Sequence, residues 1–237
     1  MTRTANEWGK EPALPASIYP TLRAKLKAWW KGQGRHYPWR STRNPYAIFL
    51  AEIVLQKTQV AKAERAFREL FDAYPTVELL AQAHTEHLER IFAWLGLVKR
   101  ARFLRQAAAA IVERHNGEIP STLVELKRLP GVGDYTASAI LAFAYEQPFP
   151  VVDTSTARAL KRLLGFRSEK APWEDPVAWR VAHDFLDERH PAQHNYALID
   201  LAALICVPGK PRCEECPLAQ WCAFVSQTRS DESAPDS

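Results

Sequence analysis

Leu129-Pro130-Gly131-Val132-Gly133-Asp134-Tyr135-Thr136-Ala137 lies between two stretches of helical periodicity, 122–129 and 134–146. Pro130 cannot continue the first helix, because it offers no N–H to the ladder. Two glycines then allow a tight reversal that side chains would obstruct. The second helix is expected to open at Asp134, a residue type suited to a helix cap. The backbone N–H groups of its first turn, with those of the glycine turn, would form a small anion-binding concavity. One phosphate fits such a nest, and Leu129, Gly131, Val132 and Gly133 are the candidate contacts.

Outward from this hairpin the chain continues as helix after helix. Helical spacing of apolar residues marks 18–31, 47–74 (one helix or two), 76–83, 84–94 and 99–116. It returns at 155–164, 177–188 and 195–206. Thr122 and Glu125 have the spacing of a capping box. Gly34, Pro38 and Pro45 make 32–45 a connector. Alternating strand patterns are almost absent, so the expected fold class is all-α. The tail from 225 to 237, rich in Ser and Asp, is expected to be disordered.

Composition bounds the function without choosing it. Hydrophobic residues make up 47% of the 237, enough for a sizeable core and too many for a disordered chain. A formal charge of +4 permits a polyanionic partner but does not require one. No apolar run is long enough to span a membrane, and 1–15 has no apolar signal core. The expected location is cytoplasmic, on the nucleoid if the source is bacterial. In such a reducing compartment cysteines are metal ligands more often than disulfides.

All four cysteines fall within 17 residues: Cys206, six residues, Cys213, two residues, Cys216, five residues, Cys222. Four thiolates in so short a loop can close around one soft metal centre. Pro208, Gly209, Pro211 and Pro217 bend the chain so that the sulfurs can converge. On spacing alone a zinc site and an iron–sulfur cluster are equally open, and no His lies in the loop.

Cys-x6-Cys-x2-Cys-x5-Cys resembles the cluster loop of the helix-hairpin-helix DNA glycosylases, the superfamily of endonuclease III and the adenine- and thymine-mismatch glycosylases. That resemblance implies a four-iron four-sulfur cluster, with Lys210 and Arg212 touching the DNA backbone. Leu-Pro-Gly-Val-Gly between helices is the same superfamily's hairpin. This chain departs from it at Asp134, where the relatives usually carry Arg or Lys. Phe149-Pro150-Val151-Val152-Asp153-Thr154 is similar to the run that precedes the superfamily's essential aspartate. Cleaving an N-glycosidic bond builds positive charge on the sugar, and a fixed carboxylate stabilises it. By its position alone Asp153 reads equally as a helix cap. Glu52 falls among Ile48, Phe49, Leu55 and Gln56. An acid on the apolar side of a helix is unusual, and burial there favours the proton-donating form. The run from Tyr37 to Gln59 resembles the start of the mismatch glycosylases, which makes Glu52 their catalytic glutamate and Gln56 and Lys57 contacts to DNA; a structural glutamate is the alternative.

Endonuclease III carries a lysine two residues after its second hairpin glycine, an amine that attacks the sugar. Here that position is Tyr135, which cannot form an imine. Tyrosine there resembles the thymine-mismatch glycosylases of the Mig type, and it either supports a flipped base or packs in the core. The adenine enzymes add a C-terminal domain, whereas this sequence ends 15 residues after Cys222. Gln56-Lys57-Thr58-Gln59 is nevertheless closer to the adenine enzyme. The resemblance therefore implies a monofunctional glycosylase for thymine or uracil opposite guanine, acting as a monomer on double-stranded DNA. Alternatives are an adenine glycosylase, a bifunctional glycosylase–lyase using Lys57, and an inactive DNA-structure-binding protein. The implied architecture is two helical lobes, 38–150 and 1–37 with 151–224, flanking a DNA-binding cleft that holds Glu52, Tyr135 and Asp153.

Overall fold

The computed structural model describes residue 9, residues 11–167 and residues 170–232, with side chains to residue 228. The regular elements are α-helices and short 3-10 turns, and no strand forms among the described residues. The all-α expectation holds. The chain divides into two compact units, Met1–Arg35 with Pro148–Ser237, and His36–Gln147.

The first unit contains α1 (Tyr19–Gln33), α9 (Thr154–Leu164), α10 (Pro176–Asp184), α11 (Pro191–Leu204) and α12 (Ala223–Glu232). Helix α11 is its centre and packs against α1 and α9. Tyr19, Leu22 and Leu26 of α1 join Leu160, Leu163 and Leu164 of α9 and Leu198 and Leu201 of α11 in one buried cluster. A buried ion pair fixes the end of α1: Asp200 accepts from Trp30 Nε1 and Arg35 N, both at 2.9 Å, and from Arg35 Nε at 2.6 Å. Helix α11 starts at Pro191, four residues before the periodicity suggested, because proline suits the first turn, where its missing N–H costs nothing.

The second unit contains α2 (Pro45–Leu55), α3 (Val60–Ala73), α4 (Val77–Ala81), α5 (Thr85–Trp94), α6 (Lys99–His115), α7 (Leu123–Lys127) and α8 (Asp134–Tyr145). The 47–74 pattern is thus two helices. Asn44 opens α2 by accepting from Tyr46 N and Ala47 N at 2.9 and 3.2 Å. From Tyr46 to Val54 every residue of α2 is buried. A helix that is apolar all round must be covered on all sides, and α2 is packed on α3 and α8.

One expectation fails. The tail read as disordered from 225 carries α12 from Ala223 to Glu232. Val225 is buried in the core cluster and Phe224 packs against it, so two apolar residues anchor a helix whose later residues are polar. Positions 233–237 lie outside the described residues.

Candidate active site

The hairpin is built as a left-handed glycine requires. Gly131 has φ +80°, and a Cβ there would stand 3.2 Å from Phe103 Cβ. Val132 N donates to Leu129 O at 3.1 Å, which closes the turn. The Leu129 and Val132 side chains are buried, so a phosphate would meet these two residues through their backbone alone. One correction follows. The N-cap of α8 is Gly133, not Asp134. Asp134 is the first helical residue, where the helix dipole favours a carboxylate. Its Oδ1 meets Lys127 Nζ at 2.5 Å, which balances its charge beside the nest. The first helical bond of α8 runs from Ala137 N to Gly133 O at 2.9 Å, so the amides of Asp134, Tyr135 and Thr136 precede the ladder. Tyr135 is half-buried.

Glu52 sits in the middle of α2 and is 2% exposed. At the end of that helix, Gln56 and Lys57 occupy a type II turn: Gln56 has φ −56° and ψ 116°, Lys57 has φ 55°, and Thr58 N donates to Leu55 O at 3.2 Å. A lysine in the left-handed region costs about 1–2 kcal/mol. Arg100 Nη1 donates to Gln56 O at 2.5 Å and holds the turn. The Gln56 amide reaches the hairpin, donating to Gly131 O at 3.2 Å and Thr136 Oγ1 at 2.9 Å. The structure therefore gathers Gln56, Gly131 and Thr136, while Lys57 is exposed.

In the other unit, Asp153 caps α9 in a capping box. Its Oδ1 accepts from Thr156 N at 2.7 Å and lies 2.9 Å from Thr156 Oγ1, while Asp153 N donates back to Thr156 Oγ1 at 2.8 Å. Both cap contacts use Oδ1, and Oδ2 lies outside them. The cap reading and a chemical role are thus compatible. The Asp-x-x-Thr spacing could have revealed Thr156 in the sequence. Asn195 and Lys127 gave no such signal.

The cluster loop follows α11. The charge of Cys206 acts on Cys213, Cys216 and Cys222, and that of Cys213 acts on Cys216 and Cys222, so the four side chains lie in one neighbourhood. Burial pushes Cys216 up to about 11 and raises Cys213 and Cys222. Backbone amides oppose this: Leu218 N–H points at the Cys216 sulfur, and Phe224 and Val225 N–H at that of Cys222. Arg162 adds a cation, with Nη1 3.7 Å from Cys206 Sγ and 2.8 Å from Val207 O. Amide and guanidinium donors aimed at sulfur suit thiolates around a metal centre. The residues fit a cluster, held by Cys206, Cys213, Cys216 and Cys222. Lys210 and Arg212 are exposed on the same loop.

Comparison with known proteins agrees with these features. The family described as HhH-GPD superfamily base excision DNA repair protein matches residues 50–174. The iron–sulfur binding domain of endonuclease III matches residues 206–222. A thymine-DNA glycosylase of Aeropyrum pernix is 38% identical over 210 residues, covering 86% of this chain and 94% of that protein. The human adenine DNA glycosylase is 33% identical over 221 residues, but this chain spans 40% of its length. Among solved structures, a thermostable thymine-DNA glycosylase superposes with TM-score 0.83 at 26% identity, covering 89% of this chain and 98% of that one.

Proposed function

Because the chain belongs to the HhH-GPD superfamily of base excision DNA repair proteins, we propose that this DNA glycosylase hydrolyses thymine or uracil mispaired with guanine from duplex DNA and leaves the strand uncut. The observation that carries the reading is the Asp153 carboxylate, held by one oxygen in a rigid cap while the other stays outside it. A fixed charge of that kind stabilises the cationic sugar that forms as the base departs. In this reading Glu52 moves the proton and Tyr135 supports the flipped base. The choice of pyrimidine follows from the similarity to a thymine-DNA glycosylase along nearly its whole length.

DNA is held through its phosphates in this reading. The first amides of α8, the backbone of Gly131 and Gly133, and the exposed Lys57, Lys210 and Arg212 serve as contacts. The protein acts as a monomer. The test is a panel of duplexes carrying thymine, uracil or adenine opposite guanine, and adenine opposite 8-oxoguanine, with abasic sites revealed by alkali. Release of thymine and uracil alone is the expected result. Release of adenine alone overturns it in favour of the adenine reading, which the 33% identity to the human enzyme makes the second choice.

The four-iron four-sulfur cluster, when bound, cross-links the loop after α11 and fixes Lys210 and Arg212 on it. We expect the purified protein to be yellow-brown, with about four irons per chain. Binding displaces protons from thiols that burial otherwise keeps protonated. One zinc and no iron by metal analysis is the result that contradicts this.

A further inference from the structure

We propose that Asn195 is a positioning residue, whose buried carboxamide sets the register of the extended run that delivers Asp153. The inference rests on the catalytic reading of Asp153. Residues 148–153 form neither helix nor strand, yet Val151 and Val152 are 2% and 1% exposed. Buried backbone groups must find partners, and this run has no neighbouring strand to supply them.

Asn195 replaces that strand. It lies on α11, is itself 2% exposed, and makes two bonds to the run. Its Nδ2 donates to Phe149 O at 2.9 Å, and its Oδ1 accepts from Val151 N at 3.0 Å. One carboxamide thus serves the carbonyl of one residue and the amide two positions on, as a residue of a parallel strand would. The bonds discriminate between registers: a slip of one residue would bring Pro150, which has no N–H, to face the acceptor.

The second anchor is Thr156, which accepts from Asp153 N and sits 3.2 Å from Val151 O. Val152 alone separates the two anchored residues. The platform is firm as well, because Asp200 on the same helix is locked to Trp30 and Arg35. Asn195 touches no reacting atom in this account. It acts through the backbone that carries Asp153.

The test is single-turnover base release with enzyme in excess, a rate constant that does not depend on the folded fraction. Asn195→Ala should lower it by about 100-fold, the usual effect of moving a reacting group by about 1 Å. Iron per chain and affinity for duplex should stay at wild-type values. Asn195→Asp keeps the acceptor for Val151 N and loses the donor to Phe149 O, so its rate constant should fall between the two; it decides the matter if the alanine variant does not fold. A reduced yield of folded, iron-loaded protein with an unchanged rate constant is what a purely structural role gives, and overturns the proposal. Asp153→Asn is measured alongside. Wild-type turnover in that variant overturns the catalytic reading and this inference with it. Wild-type turnover in Asn195→Ala beside an inactive Asp153→Asn overturns this inference alone.

Discussion

Asp153→Asn should abolish base release while leaving the protein folded and bound to DNA. An asparagine can present its amide oxygen where Oδ1 now accepts from Thr156 N, and Asn caps helices about as well as Asp. Stability should therefore change by less than about 1 kcal/mol. The negative charge disappears from the position where the sugar becomes cationic. Losing one neutral hydrogen-bond donor to a transition-state charge costs roughly 100- to 1000-fold in rate, and losing a full charge should cost at least that. Single-turnover release and thermal melting, measured on the same preparation, separate the two effects. Normal turnover would reduce Asp153 to a helix cap. Melting several degrees lower would show that the cap depends on charge.

Tyr135→Lys should convert a hydrolase into an enzyme that forms a covalent complex with DNA. The position is the second residue of α8, where endonuclease III carries its nucleophilic lysine. The positive end of the helix dipole disfavours a protonated amine there, so part of the lysine population is free to attack. The new amine would bond to the sugar carbon as the base leaves, and borohydride would reduce the resulting imine to a stable adduct. The wild-type protein should give no adduct and no nick before alkali. The variant should release its base more slowly, since an aromatic face under a base contributes about 1–3 kcal/mol. Efficient trapping by the wild-type protein would overturn this reading and move attention to Lys57.

Much of this was legible because it is local. Helix periodicity, the Leu129–Gly133 turn and the Cys206–Cys222 spacing each sit within one short window. What stayed hidden depends on residues far apart in sequence. Nothing around Asn195 announces a bond to Phe149, 46 positions away, or that Asp200 receives Arg35, 165 positions away. Asp134 looked like a cap because capping chemistry is local, whereas its partner Lys127 lies across the hairpin. The backbone supplies that cap through Gly133, which has no side chain to mark it. Leu129 and Val132 belonged to the right motif, but a motif does not say which side chains turn inward. The polar composition of 225–237 hides Val225, which with Phe224 just before it tethers the helix to the core.

The discontinuous unit has a consequence for synthesis. Residues 36–147 leave the ribosome as one uninterrupted stretch, and their helices can collapse at once. Helix α1 emerges earlier and finds nothing to cover Leu22 and Leu26. The partner of Trp30 is 170 residues downstream, which at about 5–20 residues per second is a delay on the order of ten to thirty seconds. The four cysteines appear later still. The first helix made is thus among the last to be buried. Translation arrested before residue 191 would strand α1 without α11, its buried stripe of Tyr19, Leu22 and Leu26 left uncovered beside the hairpin unit.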